Sequence, residues 1–149
     1  MKKLFFIGVL AIACSCSSSK KVAVDNQPYS PSERVLVNSQ TFLLTEISAD
    51  KSYGYTEDNP IKVGGVDKKE GPLNERRFLN ALAGPQGEKV SYYRLGSCCI
   101  FDTENGLNGR GLLDNYRVTW EGSKDTVSIY INMYDYGQLK APVGFTIKK

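Results

Sequence analysis

The feature that most constrains the fold is a pair of neighbouring segments, residues 113–120 and 126–134, in which apolar and polar residues alternate. Because successive side chains of an extended strand point to opposite faces, each segment has one apolar face. These faces carry Tyr116, Val118 and Trp120 in the first segment and Val127, Ile129, Ile131 and Met133 in the second. Residues 121–125 between them suit a hairpin loop. The pattern predicts two antiparallel strands that bury one face in a core.

A single segment has the pattern of a helix. Pro72 suits a first helical turn, and the dipeptide Gly84-Pro85 is a stop signal. Phe78 and Leu82 lie one turn apart and share an apolar side between these signals. We therefore expect a helix over residues 72–83.

Shorter strand signals surround this helix and complete the fold prediction. They lie in residues 35–47, 61–63, 90–95 and 145–147. The glycines of residues 106–111 are spaced as GxxGxG, but no clear strand precedes them and no helix follows, so we expect a loop and not a nucleotide site. The order of elements predicts an α+β domain, with a small, mainly antiparallel β-sheet and one packed α-helix.

The N-terminal segment predicts export and lipid attachment. Lys2 and Lys3 precede ten uncharged residues, which is long enough for a signal peptide but too short to span a membrane. Cys14 follows directly and resembles the acylated cysteine of a bacterial lipobox; Cys16 is an alternative site, and secretion with a free Cys14 is another. We expect a lipoprotein signal peptide in residues 1–13, a lipidated flexible tether in 14–34 and one globular domain in 35–149.

The predicted anchor also indicates a location. Several acyl chains on one cysteine hold a protein stably on a membrane, since each buried methylene contributes about 0.8 kcal/mol. Lys20 and Lys21 stand where a surface-export signal would be acidic, which favours the periplasmic face of the outer membrane.

Charge and composition exclude several classes of function. Of the 19 basic side chains, Lys2 and Lys3 lie in the signal peptide, which leaves 17 against 16 acidic ones and gives no reason to expect a nucleic-acid partner. The chain has no histidine, so no Ser-His-Asp triad, Cys-His couple or histidine metal ligand exists. We expect no cofactor and no metal.

The adjacent cysteines Cys98 and Cys99 are the most unusual internal feature. Neighbouring Cα atoms lie about 3.8 Å apart, below the usual disulfide span of about 4.4–6.8 Å. Alternation along an extended chain favours two thiols that face opposite sides. The alternatives are a vicinal disulfide with a redox or ligand-sensing role and, less favoured for want of further ligands, a metal site.

Two adjacent arginines, Arg76 and Arg77, are a candidate anion site at the start of the predicted helix. Two guanidinium groups could clamp a carboxylate or a phosphate. The alternative, which is more common for such residues, is a surface ion pair with Glu70 or Glu75.

Tyrosine-rich segments at residues 53–55 and 134–136 are a candidate ligand cleft. Tyrosine rings can stack on sugars or peptides. Such segments more often form ordinary turns in which the tyrosines are half-buried.

Four segments together resemble a group of small lipoproteins from Bacteroidetes. They are residues 53–64 (YGYTEDNPIKVG), 74–82 (NERRFLNAL), 96–99 (GSCC) and 130–135 (YINMYD). Some members of the group carry the name dehydro-deoxyphosphooctonate aldolase. Such aldolases resemble (β/α)₈ barrels, which need about 200 residues or more, and they act on a cytosolic sugar phosphate. The resemblance therefore implies a lipoprotein without an assigned catalytic residue.

Three functions remain open from the sequence. The favoured one is a lipid-anchored envelope protein whose domain binds an envelope protein, a peptide or a glycan. The second is an enzyme centred on Cys98 and Cys99 or on Arg76 and Arg77. The third is a redox module in which the two cysteines switch a loop.

Overall fold

Residues 34–149 are described by the structure, a computed structural model. The predicted signal peptide, Cys14, Cys16 and all of the predicted tether except Arg34 lie outside this range. The elements within it are β1 (Leu36–Asn38), β2 (Thr41–Phe42), β3 (Ile61–Lys62), α1 (Gly71–Leu79), β4 (Leu82–Ala83), β5 (Val90–Leu107), β6 (Arg110–Trp120), β7 (Val127–Asn132) and β8 (Thr146–Ile147). No helix among residues 34–149 is long and apolar enough to cross a lipid bilayer.

A four-stranded sheet forms the centre of the fold, with the strand order β3-β7-β6-β5. β6 pairs antiparallel with both β5 and β7, whereas β3 lies parallel to β7. Two further pairs, β1 with β2 and β4 with β8, are antiparallel. The predicted α+β class, mainly antiparallel with one helix, is therefore confirmed for the described residues.

The helix packs its C-terminal half into the core. Phe78 and Leu79 are fully buried in one cluster with Val118 of β6 and with Ile129 and Ile131 of β7. Burying a side chain of this size contributes about 1.5–3 kcal/mol, so Phe78 and Leu79 each add to the stability of the core that the helix shares with β6 and β7.

The helix is shorter than the sequence pattern predicts. It ends at Leu79, where the backbone N–H of Asn80 donates to the carbonyl of Arg76 at 2.9 Å and that of Ala81 to the carbonyl of Phe78 at 3.0 Å. Leu82 and Ala83 then leave the helix and pair, as β4, with β8. Both are nearly fully buried there, so tertiary pairing outweighs their helical propensity.

The hairpin of β5 and β6 is longer than predicted. β5 continues twelve residues beyond the predicted segment 90–95, and only Asn108 and Gly109 separate it from β6. Both turn residues have positive φ, 53° and 76°, which matches the twist of paired strands. The loop prediction for residues 106–111 is therefore wrong in extent, because most of that segment lies in strands.

Arg34 fixes the point at which the predicted tether meets the domain. Its guanidinium donates hydrogen bonds to the carbonyls of Lys62 at 2.8 Å and Gly137 at 3.1 Å, and also to that of Val63. It also lies over the rings of Phe42 and Tyr136, at 5.5 and 5.0 Å from their centroids. The chain thus enters the domain beside β3.

Candidate functional site

Five polar side chains form a hydrogen-bonded group between the helix and the sheet, which we call the acid network: Glu75, Arg94, Ser97, Asp114 and Tyr116. Asp114 and Tyr116 are two residues apart on the regular strand β6 and therefore share one face. On β5, Ser97 lies opposite Asp114, and Arg94 lies opposite Tyr116. Glu75 reaches the group from α1.

Asp114 is the acceptor at the centre of the acid network. Arg94 donates to it through both Nε and Nη2, with 2.8 Å between Nη2 and Oδ1, and Ser97 Oγ donates to Oδ1 at 2.8 Å. The Asp114 side chain is only 3% exposed, whereas that of Arg94 is 45% exposed. The hydrogen bonds to Asp114 raise the pKa of Arg94. A bidentate pair therefore holds a buried carboxylate against a half-exposed cation.

Glu75 is fully buried and holds a proton. Burial in the first place, and next the negative charge of Asp114, raise the pKa of Glu75 to about 8. The hydroxyl of Tyr116 donates to Oε2 at 2.8 Å and opposes part of this rise. A side-chain hydrogen bond with Asp114 also raises the pKa, because the protonated carboxyl donates to this carboxylate. Glu75 is thus mainly a neutral acid at pH 7.

The acid network resembles the acid–base pairs of enzymes in its composition but not in its access to solvent. Glu75 has no exposed surface, and neither Glu75 nor Asp114 lines the groove described below. A general acid must lie within hydrogen-bond reach of its substrate. The network therefore holds a proton inside the domain without presenting it to a ligand.

Sequence reasoning missed the acid network, although a signal was present. Asp114 alternates with Tyr116 and Val118, so it falls on the face predicted to be buried. An ionisable side chain on a buried face needs partners, which predicts a polar cluster.

Cys98 and Cys99 are joined by a disulfide, where the sequence favours two free thiols that face opposite sides. The alternation fails because Cys99 lies in a β-bulge: Cys98 pairs with Leu113 and Ile100 with Leu112, which leaves Cys99 between them. Cys99 has a φ of 54°, so its side chain does not follow the strand pattern.

The predicted anion clamp of Arg76 and Arg77 is not formed. Adjacent residues on a helix do not face each other, and the two side chains have separate surroundings. Arg77 donates to Glu70 at 3.1 Å, to Asn74 Oδ1 at 2.9 Å and to the carbonyl of Ser39 at 3.0 Å. Arg76 is exposed. The alternative prediction of an ion pair with Glu70 is confirmed for Arg77.

The tyrosine-rich segments do not form the predicted cleft. Tyr53 and Tyr55 donate their hydroxyl groups to the carbonyls of Gln138 and Val143, at 3.1 and 2.6 Å. Tyr136 donates to Asp67 at 2.8 Å, and Tyr134 packs edge-on against Phe101. These tyrosines join loops to the domain and do not line the groove described next.

A groove of about 910 Å³ lies between β4, β8 and the start of β5. We call it the lysine groove. Six of its lining residues define its chemistry: the apolar Leu82, Val90 and Ile147 and the basic Lys89, Lys148 and Lys149. The three lysines are exposed, whereas the apolar residues are buried or half-buried. Glu88 is the acidic residue of the lining. The volume of the lysine groove lies within the range of about 300–1,000 Å³ that is typical of ligand pockets.

No group of three or more His, Cys, Asp or Glu side chains within residues 34–149 is placed to hold a metal ion.

Comparisons of the chain with protein-family models, with curated proteins and with solved structures find no match.

Proposed function

We propose that the protein is a lipid-anchored lipoprotein of the cell envelope whose domain binds an acidic peptide segment of another envelope protein. The lysine groove is the observation that carries the binding function. The signal in residues 1–13 and the cysteine at position 14 support the anchor, and Lys20 and Lys21 support the periplasmic face of the outer membrane as its location.

The charges and the surface of the lysine groove favour an acidic peptide over other ligands. The lining of the groove contains three lysines, Lys89, Lys148 and Lys149, and one acidic residue, Glu88, so the groove attracts negative charge. The half-buried Val90 and Ile147 offer apolar contacts to alternate side chains of an extended segment. β8 pairs with β4 in a two-stranded sheet, so its other edge has no strand partner in residues 34–149. An added peptide strand could use that edge.

The only tryptophan of the chain can report binding directly. Trp120 lies against Gly84, which is next to the groove residues Ala83 and Pro85, and packs edge-on on Phe145 at 5.5 Å. We expect its fluorescence to change when a short synthetic peptide of alternating Leu and Glu is titrated into the full mature protein. The same peptide with Lys in place of Glu is expected to produce no change.

The double variant Lys89→Glu/Lys148→Glu is expected to bind the Leu-Glu peptide about 10-fold or more weakly, because two attractions become repulsions. High salt is expected to weaken wild-type binding as well, since exposed charges are screened. The matched control is Lys68→Glu/Lys124→Glu, which reverses two exposed lysines outside the groove. Equal weakening by the control pair would contradict the assignment of the groove. So would a neutral oligosaccharide that binds where the acidic peptide does not.

The anchor is tested separately by the intact mass of the mature protein from a membrane fraction. We expect acyl groups on Cys14 as the new N-terminal residue, and loss of the protein from the membrane in Cys14→Ala. Cys16→Ser is the control and is expected to stay acylated and membrane-bound. Acylation that survives in Cys14→Ala and disappears in Cys16→Ser would assign the anchor to Cys16 instead.

A further inference from the structure

The Cys98–Cys99 disulfide lies on the outermost strand of the central sheet. β5 pairs with β6 on one side and, among residues 34–149, with no strand on the other. Both cysteines are half-buried, so part of the pair is in contact with solvent. A disulfide that reacts with another protein needs this kind of access.

Open space adjoins the disulfide on the strand. A Cβ atom added to Gly96, two residues before Cys98, would meet no atom within 4 Å. Leu95 and Ile100, on either side of the pair, are 64% and 65% exposed. An approaching protein would therefore find room at Gly96, two residues from the disulfide, and apolar surface at Leu95 and Ile100.

The backbone at Cys99 favours opening of the disulfide. Cys99 is one of three non-glycine residues in the described part of the chain with positive φ. L-residues adopt this conformation at a cost in free energy, and here it occurs at the residue that carries both the bulge and the disulfide. Reduction releases the covalent constraint and allows Cys99 to relax.

We infer that Cys98–Cys99 is a thiol–disulfide exchange site that accepts two electrons from a dithiol protein with a CxxC pair. The first thiolate of the donor attacks one sulfur, the Cys98–Cys99 bond breaks, and the released thiolate takes a proton. The second thiolate of the donor then attacks the mixed disulfide and releases the other cysteine, which is also protonated. The donor ends as a disulfide and this chain as a dithiol: two electrons have passed between them, and solvent supplies the two protons that it took from the donor's thiols.

The exchange is tested on the full mature protein in detergent, with Cys16→Ser present to remove another thiol. The protein is equilibrated in buffers of reduced and oxidised dithiothreitol, quenched with N-ethylmaleimide and weighed intact. We expect two maleimide groups to appear together and reversibly, with an unchanged far-ultraviolet circular dichroism spectrum. Purified thioredoxin is expected to reduce the pair about 10-fold or more faster than glutathione at equal concentration, because its second thiol resolves the mixed disulfide within one complex.

A trapping variant gives an independent outcome. Thioredoxin with its second active-site cysteine changed to serine is expected to form a covalent adduct with the protein. Cys98→Ser/Cys99→Ser is the matched control and is expected to form none. Labelling that requires denaturant would show a purely structural disulfide and overturn the inference, as would isolation of the untreated protein with two free thiols. The test is independent of the lysine groove and of the lipid anchor, so its failure would leave the proposed function standing.

Discussion

The free energy of unfolding is expected to fall by about 1 kcal/mol for each pH unit between about pH 4.5 and pH 8 through the contribution of Glu75. In this range the folded protein keeps the proton of Glu75, whose pKa is raised from 4.5 to about 8, whereas the unfolded chain releases it. The contribution is therefore fully present below pH 4.5, decreases as pH rises, and is lost above pH 8.

Urea unfolding of the wild type and of Glu75→Gln across this range measures the effect. The introduced amide cannot ionise, so the variant is expected to lack the slope and to gain stability relative to the wild type as pH rises.

Asp135 affects stability in a different pH range from Glu75. Burial alone would raise the pKa of Asp135, but hydrogen bonds from Thr103, Asn105 and Asn132 lower it below 3.8. Its stabilising contribution is lost only in more acidic solution.

The control for this experiment is Glu121→Gln, which changes an exposed glutamate. It is expected to keep the wild-type slope. A slope that persists unchanged in Glu75→Gln would show that Glu75 is ionised in the folded protein at neutral pH. Such a result would contradict the neutral acid at the centre of the acid network.

The sequence predicted the parts of the fold that depend on periodic burial. β6 and β7 alternate because one face of each strand packs on the core, and their hairpin follows from that pattern. The far part of β5 shows no such alternation, since residues 96–107 are largely exposed or half-buried. Its strand conformation comes from pairing with β6 and from the turn at Asn108 and Gly109, which a search for apolar faces does not detect.

The sequence could single out individual residues of the candidate sites, but not which of them meet in the folded protein. The adjacency of Cys98 and Cys99 marked them as unusual, but their bond depends on a bulge set by the register of β5 against β6. Glu75 and Asp114 are 39 positions apart in the sequence and meet only when the helix packs on the sheet. The lysine groove likewise combines residues around position 89 with the last two residues of the chain. Long-range packing, and not local pattern, creates each of these sites.

Arg94→Ala is expected to lower the free energy of unfolding by about 2–3 kcal/mol at pH 7. The variant leaves Asp114, whose side chain is 3% exposed, without its cation and with Ser97 and the protonated Glu75 as its side-chain donors. Removing one partner of a fully buried ion pair costs about 3–5 kcal/mol. The smaller value is expected here because Arg94 is itself 45% exposed, so water already screens part of the pair and can reach Asp114 once the side chain is shortened.

Arg117→Ala separates the loss of this ion pair from the loss of any arginine in the sheet. The Arg117 guanidinium donates to the hydroxyl groups of Ser128 at 2.9 Å and Thr126 at 2.7 Å, and neither acceptor is charged. Its removal is expected to cost about 1 kcal/mol. The double variant Arg94→Ala/Asp114→Asn is expected to recover part of the lost stability, because it removes the uncompensated buried charge. If Arg94→Ala lowers the free energy of unfolding no more than Arg117→Ala does, the ion pair of Arg94 with Asp114 does not stabilise the fold. That result would contradict its central place in the acid network.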